Sequence, residues 1–402
     1  MINFPKRLSS IVFVKQGELV MASRHKPAFL YHFDELEDPR IDRKKLYPLP
    51  EILLIILCGS ICGAQSWRDF VTFGEEKLDY LQRFLPFEQG VPSKNTFARV
   101  ISSLDPKTFK ACFISWIQSF QLALKDVIAI DGKTLRKSFN KATEQSAIHM
   151  VSAFATSSKL VLAQEKTSEK SNEITAIPKL LDLLAIEGAI VSIDAMGTQK
   201  KIAKKIRQKK ADYVLSLKGN HTTLHDDICL FLSNEIENLH QNKPHQIVEY
   251  HEEYDKGHGR IETRSCYVTD RIDWLDQRAD WCDLKTIAMI ESQVTIGKKT
   301  TKEQRYFVSS LPPNSKEIAH AIRSHWAIEN SLHWVLDVTM GEDLSRVRKD
   351  DAPENMAMVR HIALNLLRGA KSQFRKDMSL KGLQKKAGWG EKTLSAILMQ
   401  EF

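Results

Sequence analysis

The hydrophobic pattern of this chain predicts an α/β fold preceded by an all-α N-terminal domain. Three observations carry the prediction. Residues 34–125 show only helical periodicity. At residue 126 the period changes, and short apolar runs follow in the order β-β-β-α-β-α-β, the ribonuclease H-like order. A stretch at about 221–311 then carries mostly strand signals and reads as a β-rich insertion in that core, which resumes as helix near Ser315.

Residues 1–33 read as a disordered leader. SSIVFV is too short for a signal peptide, and Met21 is a second candidate start. PLPEILLIILCGSICGA is a buried helix with Pro50 at its start; its apolar run from Ile52 to Ala64 falls short of the roughly 20 residues a membrane span needs. SWRDFVTFGEEKLDYLQRFL is a helix capped by Ser66. In GVPSKNTFARVISSL, Ser93 caps a helix with Phe97, Val100 and Ile101 inward and Lys94, Asn95 and Arg99 outward. That exposed basic face is compatible with a helix-turn-helix, although the pattern alone favours an ordinary packing helix. DVIAIDGK, HMVSAFAT and KLVLAQEKT are strands; ITAIPKLLDLLAI is a helix, GAIVSIDAM a strand, TQKKIAKKIRQKK a helix and DYVLSLKG a strand. Continuous apolar runs in the helix-flanked strands mark a sheet buried on both faces. The core runs from 126 to 370, and a basic tail follows from 371 to 402.

With 58 Lys+Arg against 50 Asp+Glu, the chain has a formal net charge of +8. A basic surplus is what phosphate neutralisation needs, although a surplus this modest does not establish it. The six scattered cysteines argue against a disulfide framework and fit a reducing compartment.

The chemistry concentrates in three acids. Asp131 ends one apolar strand and Asp194 another, and Glu329 lies in the helical segment RSHWAIENSLHWVLD. A carboxylate ending a buried strand is costly unless it is paired or metal-bound. Several hard oxygens at one point suit divalent ions, and two ions can clamp both oxygens of a phosphoryl transfer. The competing readings are structural: a salt bridge from Asp131 to Lys133, and a helix cap at Asp194. Asp337, Glu342 and Asp343 compete with Glu329 as the third acid. His325 and His333 flank Glu329 on one face, but lie about 12 Å apart along a regular helix, too far to share one ion. Trp326 and Trp334 read as packing residues. After Asp194, the helix bearing Lys204, Lys205 and Lys209 has no acid until Asp212, which suggests a phosphate-contacting face.

These residues also carry a family resemblance. DPR at 38–40, GVPSKNTFARV, AIDGKTLR, HMVSAFAT, KSNEITAIP, IDAMG, DYVLSLKGN, GHGRIETR and IRSHWAIENSLHWVLDV occur in that order between about residues 34 and 370. The chain resembles the H-repeat-associated DDE transposases of bacterial insertion sequences. The resemblance implies a ribonuclease H-like core with a β-strand insertion, two Mg²⁺ ions for which Mn²⁺ can substitute, and DNA strand cleavage and transfer. It maps the catalytic, metal-binding triad onto Asp131, Asp194 and Glu329. The expected partners are double-stranded DNA at the element's terminal repeats, target DNA and a second copy of the chain, with no membrane, in the bacterial cytoplasm at the nucleoid. Lys218, the turn Lys256, His258 and Arg260, and Arg323 join Lys94, Asn95, Arg99 and the lysine helix as expected DNA contacts. Related transposases often carry Tyr, Arg and Lys around the glutamate where this chain has Ile322, His325 and Leu336. His325, Arg323 and His333 would then have to supply the phosphate contacts. Rival functions are an inert DNA-binding relic, a metal-dependent nuclease without joining activity, and a glycoside hydrolase using paired carboxylates.

Overall fold

The computed structural model describes residues 26–120, 126–139, 146–167, 173–241, 248–257 and 259–400. From Ala28 to Ser119 every described element is helical: α1 (Ala28–Tyr31), α2 (Leu49–Cys62), α3 (Trp67–Glu76), α4 (Leu78–Leu81), α5 (Lys94–Ser103) and α6 (Pro106–Ser119), with one 3-10 turn at Asp42–Lys44. Two signals act as the sequence suggested. Ser66 and Asp69 form a reciprocal capping box on α3. The Ser93 hydroxyl caps α5, burying Phe97, Val100 and Ile101. Three expectations need revision. The single helix expected over 66–85 breaks at Lys77 into α3 and α4. The connection from α4 to α5 spans residues 82–93, longer than a helix-turn-helix turn of three or four residues. Part of the expected disordered leader is packed, since Phe29, Leu30 and Phe33 are buried.

The strands are β1 (Val127–Thr134), β2 (His149–Ala155), β3 (Leu160–Lys166), β4 (Ile190–Ile193) and β5 (Asp212–Leu217), then β6 (Glu249–Gly257), β7 (Arg260–Thr269), β8 (Thr286–Ile296) and β9 (Lys299–Ser309). They form one mixed sheet in the order β3-β2-β1-β4-β5-β9-β8-β7-β6. β1, β4 and β5 are parallel to one another, and the other pairings are antiparallel. The segment expected as an insertion therefore continues the sheet, with β9 pairing to β5. Helices α7 (Glu173–Asp182), α8 (Lys200–Gln208) and α9 (Thr222–His240) alternate with the strands. Side chains alternate between the two faces of a strand. Gly132 faces α7: a Cβ there would lie 2.0 Å from the Glu173 Oε1. Asp131, one residue earlier, faces away from it.

After β9 the chain forms α10 (Ser315–Ala327), a π-helical segment at Ile328–His333, and α11 (Trp334–Val338). Then come α12 (Ala352–Ala370), α13 (Leu380–Trp389) and α14 (Glu391–Leu398), so the basic C-terminal stretch is largely helical. α12 is buried along most of its length and joins the helical region to the sheet. Asn355 donates to the carbonyls of Ile101 and Leu104 at 2.9 and 3.0 Å. Asn365 exchanges two 2.9 Å hydrogen bonds with the backbone of Val161 on β3. One continuous hydrophobic cluster runs from Phe29 to Leu398. Asp42–Cys62 is long and apolar enough to cross a membrane, more than the short apolar run suggested, yet 67% of its most apolar window is buried within the protein.

Candidate metal centre

β1 and β4 are parallel neighbours whose last paired residues are Ile130 and Ile193. Asp131 follows within β1, and Asp194 is the first residue past the end of β4. The Asp131 side chain is 14% exposed. Burial pushes its carboxyl up to about 8, a hydrogen bond from the Gly132 backbone opposes this, and the charges of Glu329 and Glu173 add to the rise.

The third acid arrives on the π-helical segment, a rare geometry that occurs frequently at functional sites. His333 Nδ1 lies 3.5 Å from Glu329 Oε2 and 3.6 Å from Asp131 Oδ2. Ligand atoms of all three residues fall within 4.8 Å of one another. His333 holds the Glu329 carboxyl below its ordinary range, against burial. The His333 ring is buried, and its Nε2 has no hydrogen-bond partner among the described residues. Arg368 on α12 buttresses the π segment by donating to the Ser331 carbonyl, and donates also to the Lys159 carbonyl at 2.6 Å. The donors suit a divalent cation. Two carboxylates this close repel as anions, and a cation would relieve both that repulsion and the burial of Asp131.

Asp194 lies outside this three-residue group. Its Oδ1 accepts from the backbone N–H of Met196 at 3.1 Å and of Gly197 at 3.2 Å, holding the turn that leaves β4. It does not cap α8, whose N-cap is Gln199. His325 connects it to the other acids. Burial lowers the His325 pKa, while Asp194, a backbone hydrogen bond at Ser192 and Glu329 pull it back up. Its Nδ1 is buried without a partner among the described residues.

The rival acids have other work. Lys133 Nζ lies 2.6 Å from Asp337, 3.0 Å from Glu342 and 3.4 Å from Asp343. Glu342 is 3% exposed, and its other oxygen is 3.6 Å from Arg360. Burial opposes its ionisation, but Lys133, Arg360 and His361 together hold its carboxyl below the usual range. Lys133 therefore serves this buried network.

The remaining expected contacts scatter. Lys94, Asn95 and Arg99 are exposed on α5. On α8, Lys205 pairs with Asp182 at 2.5 Å, Lys209 donates to the Asp182 carbonyl at 3.3 Å, and Lys204 is exposed. Acids from neighbouring elements thus compensate part of the face that read as uniformly basic, and α8 packs beside α7, away from the Asp131 face. Lys218 is exposed at the end of β5 in a loop packed on the Asp194 turn, where Asn220 donates to the Ala195 carbonyl at 2.6 Å. Lys256 is exposed; His258 lies outside the described residues. Arg260 and Arg323 line a cleft of about 360 Å³ between the distal strands and α10, with Arg264, Arg305, Trp326 and Asn330. Arg323 lies 3.7 Å from Asp255. The sequence reading did not single out Arg264, although it ends the GHGRIETR stretch, nor Arg305, which lies on β9 outside the family stretches. It also took Trp326 and Trp334 for packing residues. Trp326 is 42% exposed and lies beneath Arg305, at 4.6 Å, and Trp334 is 59% exposed.

The family description "Transposase DDE domain" matches residues 122–366, and a domain described as associated with it matches residues 30–117. The H repeat-associated putative transposase YhhI of Escherichia coli K12 is 42% identical over 345 residues, 84% of this chain and 89% of the relative. The putative transposase YncI of Escherichia coli O157:H7 is 41% identical over 354 residues, 86% of this chain and 88% of the relative. Among solved structures, a piggyBac transposase synaptic complex with hairpin DNA aligns with a TM-score of 0.43 and 11% identity, over 89% of this chain and 75% of that one.

Proposed function

The chain belongs to the H repeat-associated DDE transposase family, and on that premise we propose that it cleaves DNA at the ends of its insertion sequence and joins them to target DNA, using divalent metal ions. The observation that carries the reading is the convergence of Asp131, Glu329 and His333 beside the Asp194 turn. The strand order β3-β2-β1-β4-β5 supports a ribonuclease H-like core over residues 126–370. The helices of 34–125 are the proposed recognition region, with Lys94, Asn95 and Arg99 able to reach base edges, and 371–402 the basic C-terminal unit.

Asp131, Asp194 and Glu329 would hold two Mg²⁺ ions, or Mn²⁺ in their stead. Such ions supply Lewis acidity to the attacking and leaving oxygens of a phosphoryl transfer. The residues do the rest. Glu329, half exposed, faces the incoming strand. His325 on α10 hydrogen-bonds the Ser192 backbone on β4, two residues before Asp194. The arginines of the cleft are paired with Glu253, Glu262, Glu303 and Asp255, and DNA phosphates would compete with those acids for their charge-assisted contacts. Double-stranded terminal repeats, target DNA and a second copy of the chain are the partners, one centre for each end, in the bacterial cytoplasm at the nucleoid.

The test is to incubate the purified full-length chain with DNA carrying its element's own ends, target DNA and Mg²⁺, and to analyse the products by gel. The reading predicts nicked and joined products, both abolished by a chelator. Nicks without joined DNA would make it a nuclease. Binding without either product would make it an inert relic.

A further inference from the structure

The donors around Asp131 are not alike on its two sides. Toward Asp194, the carboxylate Oδ1 is engaged by the Met196 and Gly197 N–H groups, and no ring nitrogen joins it in a close group of ligand atoms among the described residues. Toward α11 the donors are the oxygens of Asp131 and Glu329 together with a ring nitrogen, His333 Nδ1. We infer that the two cation positions are chemically unequal: His333 Nδ1 is a direct ligand at the Glu329 position, which therefore prefers Mn²⁺ to Mg²⁺. This rests on the metal-dependent reading of the site proposed above.

Three observations carry it. First, Nδ1 stands nearly equidistant from the two carboxylates, at 3.5 and 3.6 Å. Those distances are long for charge-assisted hydrogen bonds. They suit donors that share one ion at bonds of about 2.1 Å, which stand roughly 3–4 Å apart. Second, the ring is buried at 5% exposure, which fixes Nδ1 beside the two carboxylates; Nε2, which a ligating histidine ordinarily donates to a second partner, has none among the described residues. Third, it is carried there by the π segment, with Arg368 holding the Ser331 carbonyl. Mg²⁺ favours a shell of oxygens and gives up water reluctantly. A nitrogen ligand raises the affinity of first-row transition ions relative to it. The competing account is a protonated His333 acting as a counter-ion to both acids.

Pulsed electron paramagnetic resonance on the full-length chain loaded with Mn²⁺, without DNA, separates the two. Direct ligation predicts ¹⁴N modulation from one imidazole in the wild type and in Asp194→Asn and His325→Ala. It predicts loss of that modulation in His333→Ala, with Mn²⁺ affinity falling at least about tenfold and Mg²⁺ affinity changing less than about threefold. His333→Asn, which keeps a polar side chain of similar reach, guards against a folding defect and should also lose the modulation. Bound Mn²⁺ without ¹⁴N modulation, or modulation that survives both His333 variants, overturns the proposal, as does a failure of the wild type to bind Mn²⁺. A chain that joins DNA but lacks the nitrogen signal would sink this inference alone. One with the signal but no joined products would sink the transposition reading alone.

Discussion

Asp131 bears the largest electrostatic burden in the centre, because burial raises its carboxyl to about 8. In an unfolded chain that group titrates near 3.9. From about pH 4 to 8 the unfolded state loses the proton while the folded state keeps it, so rising pH costs stability until the folded group also ionises. Glu329 works the other way: its lowered pKa adds stability above its unfolded value, which is lost as pH falls through the folded one. Chelator-treated Asp131→Asn should therefore gain melting temperature over wild type at pH 8 and much less at pH 5. An equal difference at both pH values would contradict the burial argument. Glu342 predicts the opposite behaviour. Glu342→Gln leaves Lys133 and Arg360 without their shared anion and should cost about 3–5 kcal/mol in denaturant unfolding, a structural loss rather than a loss of chemistry. Asp131 and Asp194 stood out in the sequence because each follows an apolar run, although β1 continues past Asp131 to Thr134. Glu342 looked like a rival because no sequence pattern tells a buried acid paired with Lys133 from a free one.

The π segment is the element on which the centre depends. The sequence puts Glu329 and His333 on one helical face, but nothing in IENSLH announces the widened turn, since its stabilising partner Arg368 lies 37 residues away from Ser331. Burial lowers the Arg368 pKa to about 9, and it also lies over the Phe154 ring at 5.2 Å. Arg368→Ala should leave two carbonyls unpaired, cost about 1–3 kcal/mol of stability, and weaken Mn²⁺ binding at a centre it does not touch. Normal metal affinity in that variant would show that the π geometry stands without it. β6 escaped the sequence reading for a related reason: its residues are mostly polar, as befits an edge strand, so no alternation marks it. On α8, Asp182 and Asp280 reach Lys205 and Lys200 from other elements. Salt dependence of DNA binding can rank the two basic surfaces. Replacing Arg323 and Arg305 should lower the log–log slope by about 0.9 for each phosphate that is no longer neutralised. Replacing Lys204, Lys205 and Lys209 should lower it less, and the reverse order would return the DNA track to α8.

Over the whole molecule, α12 makes the helical region and the sheet one packed unit. α2 and α5 bury against it, and Asn355 fixes the end of α5. The succession of strands and helices from β1 to β5 was legible because each has its own period, whereas the pairing of β9 with β5 was not. The sharing of one core by residues 29–119 and 352–398 was not, because those two regions lie at opposite ends of the chain. Deleting residues 1–125 should therefore expose α12 and abolish cooperative unfolding. A truncated core that unfolds cooperatively with near-normal stability would contradict this. End recognition is better footprinted on the full chain with Lys94, Asn95 and Arg99 replaced. The central claim is that Glu329, carried by the π segment, completes the catalytic acids. The most direct measurement is cleavage of the element's own ends by wild type and Glu329→Gln, each shown to be folded by circular dichroism. The account predicts metal-dependent cleavage by the wild type and none by Glu329→Gln, with DNA affinity largely kept. Near-normal cleavage by Glu329→Gln would contradict it.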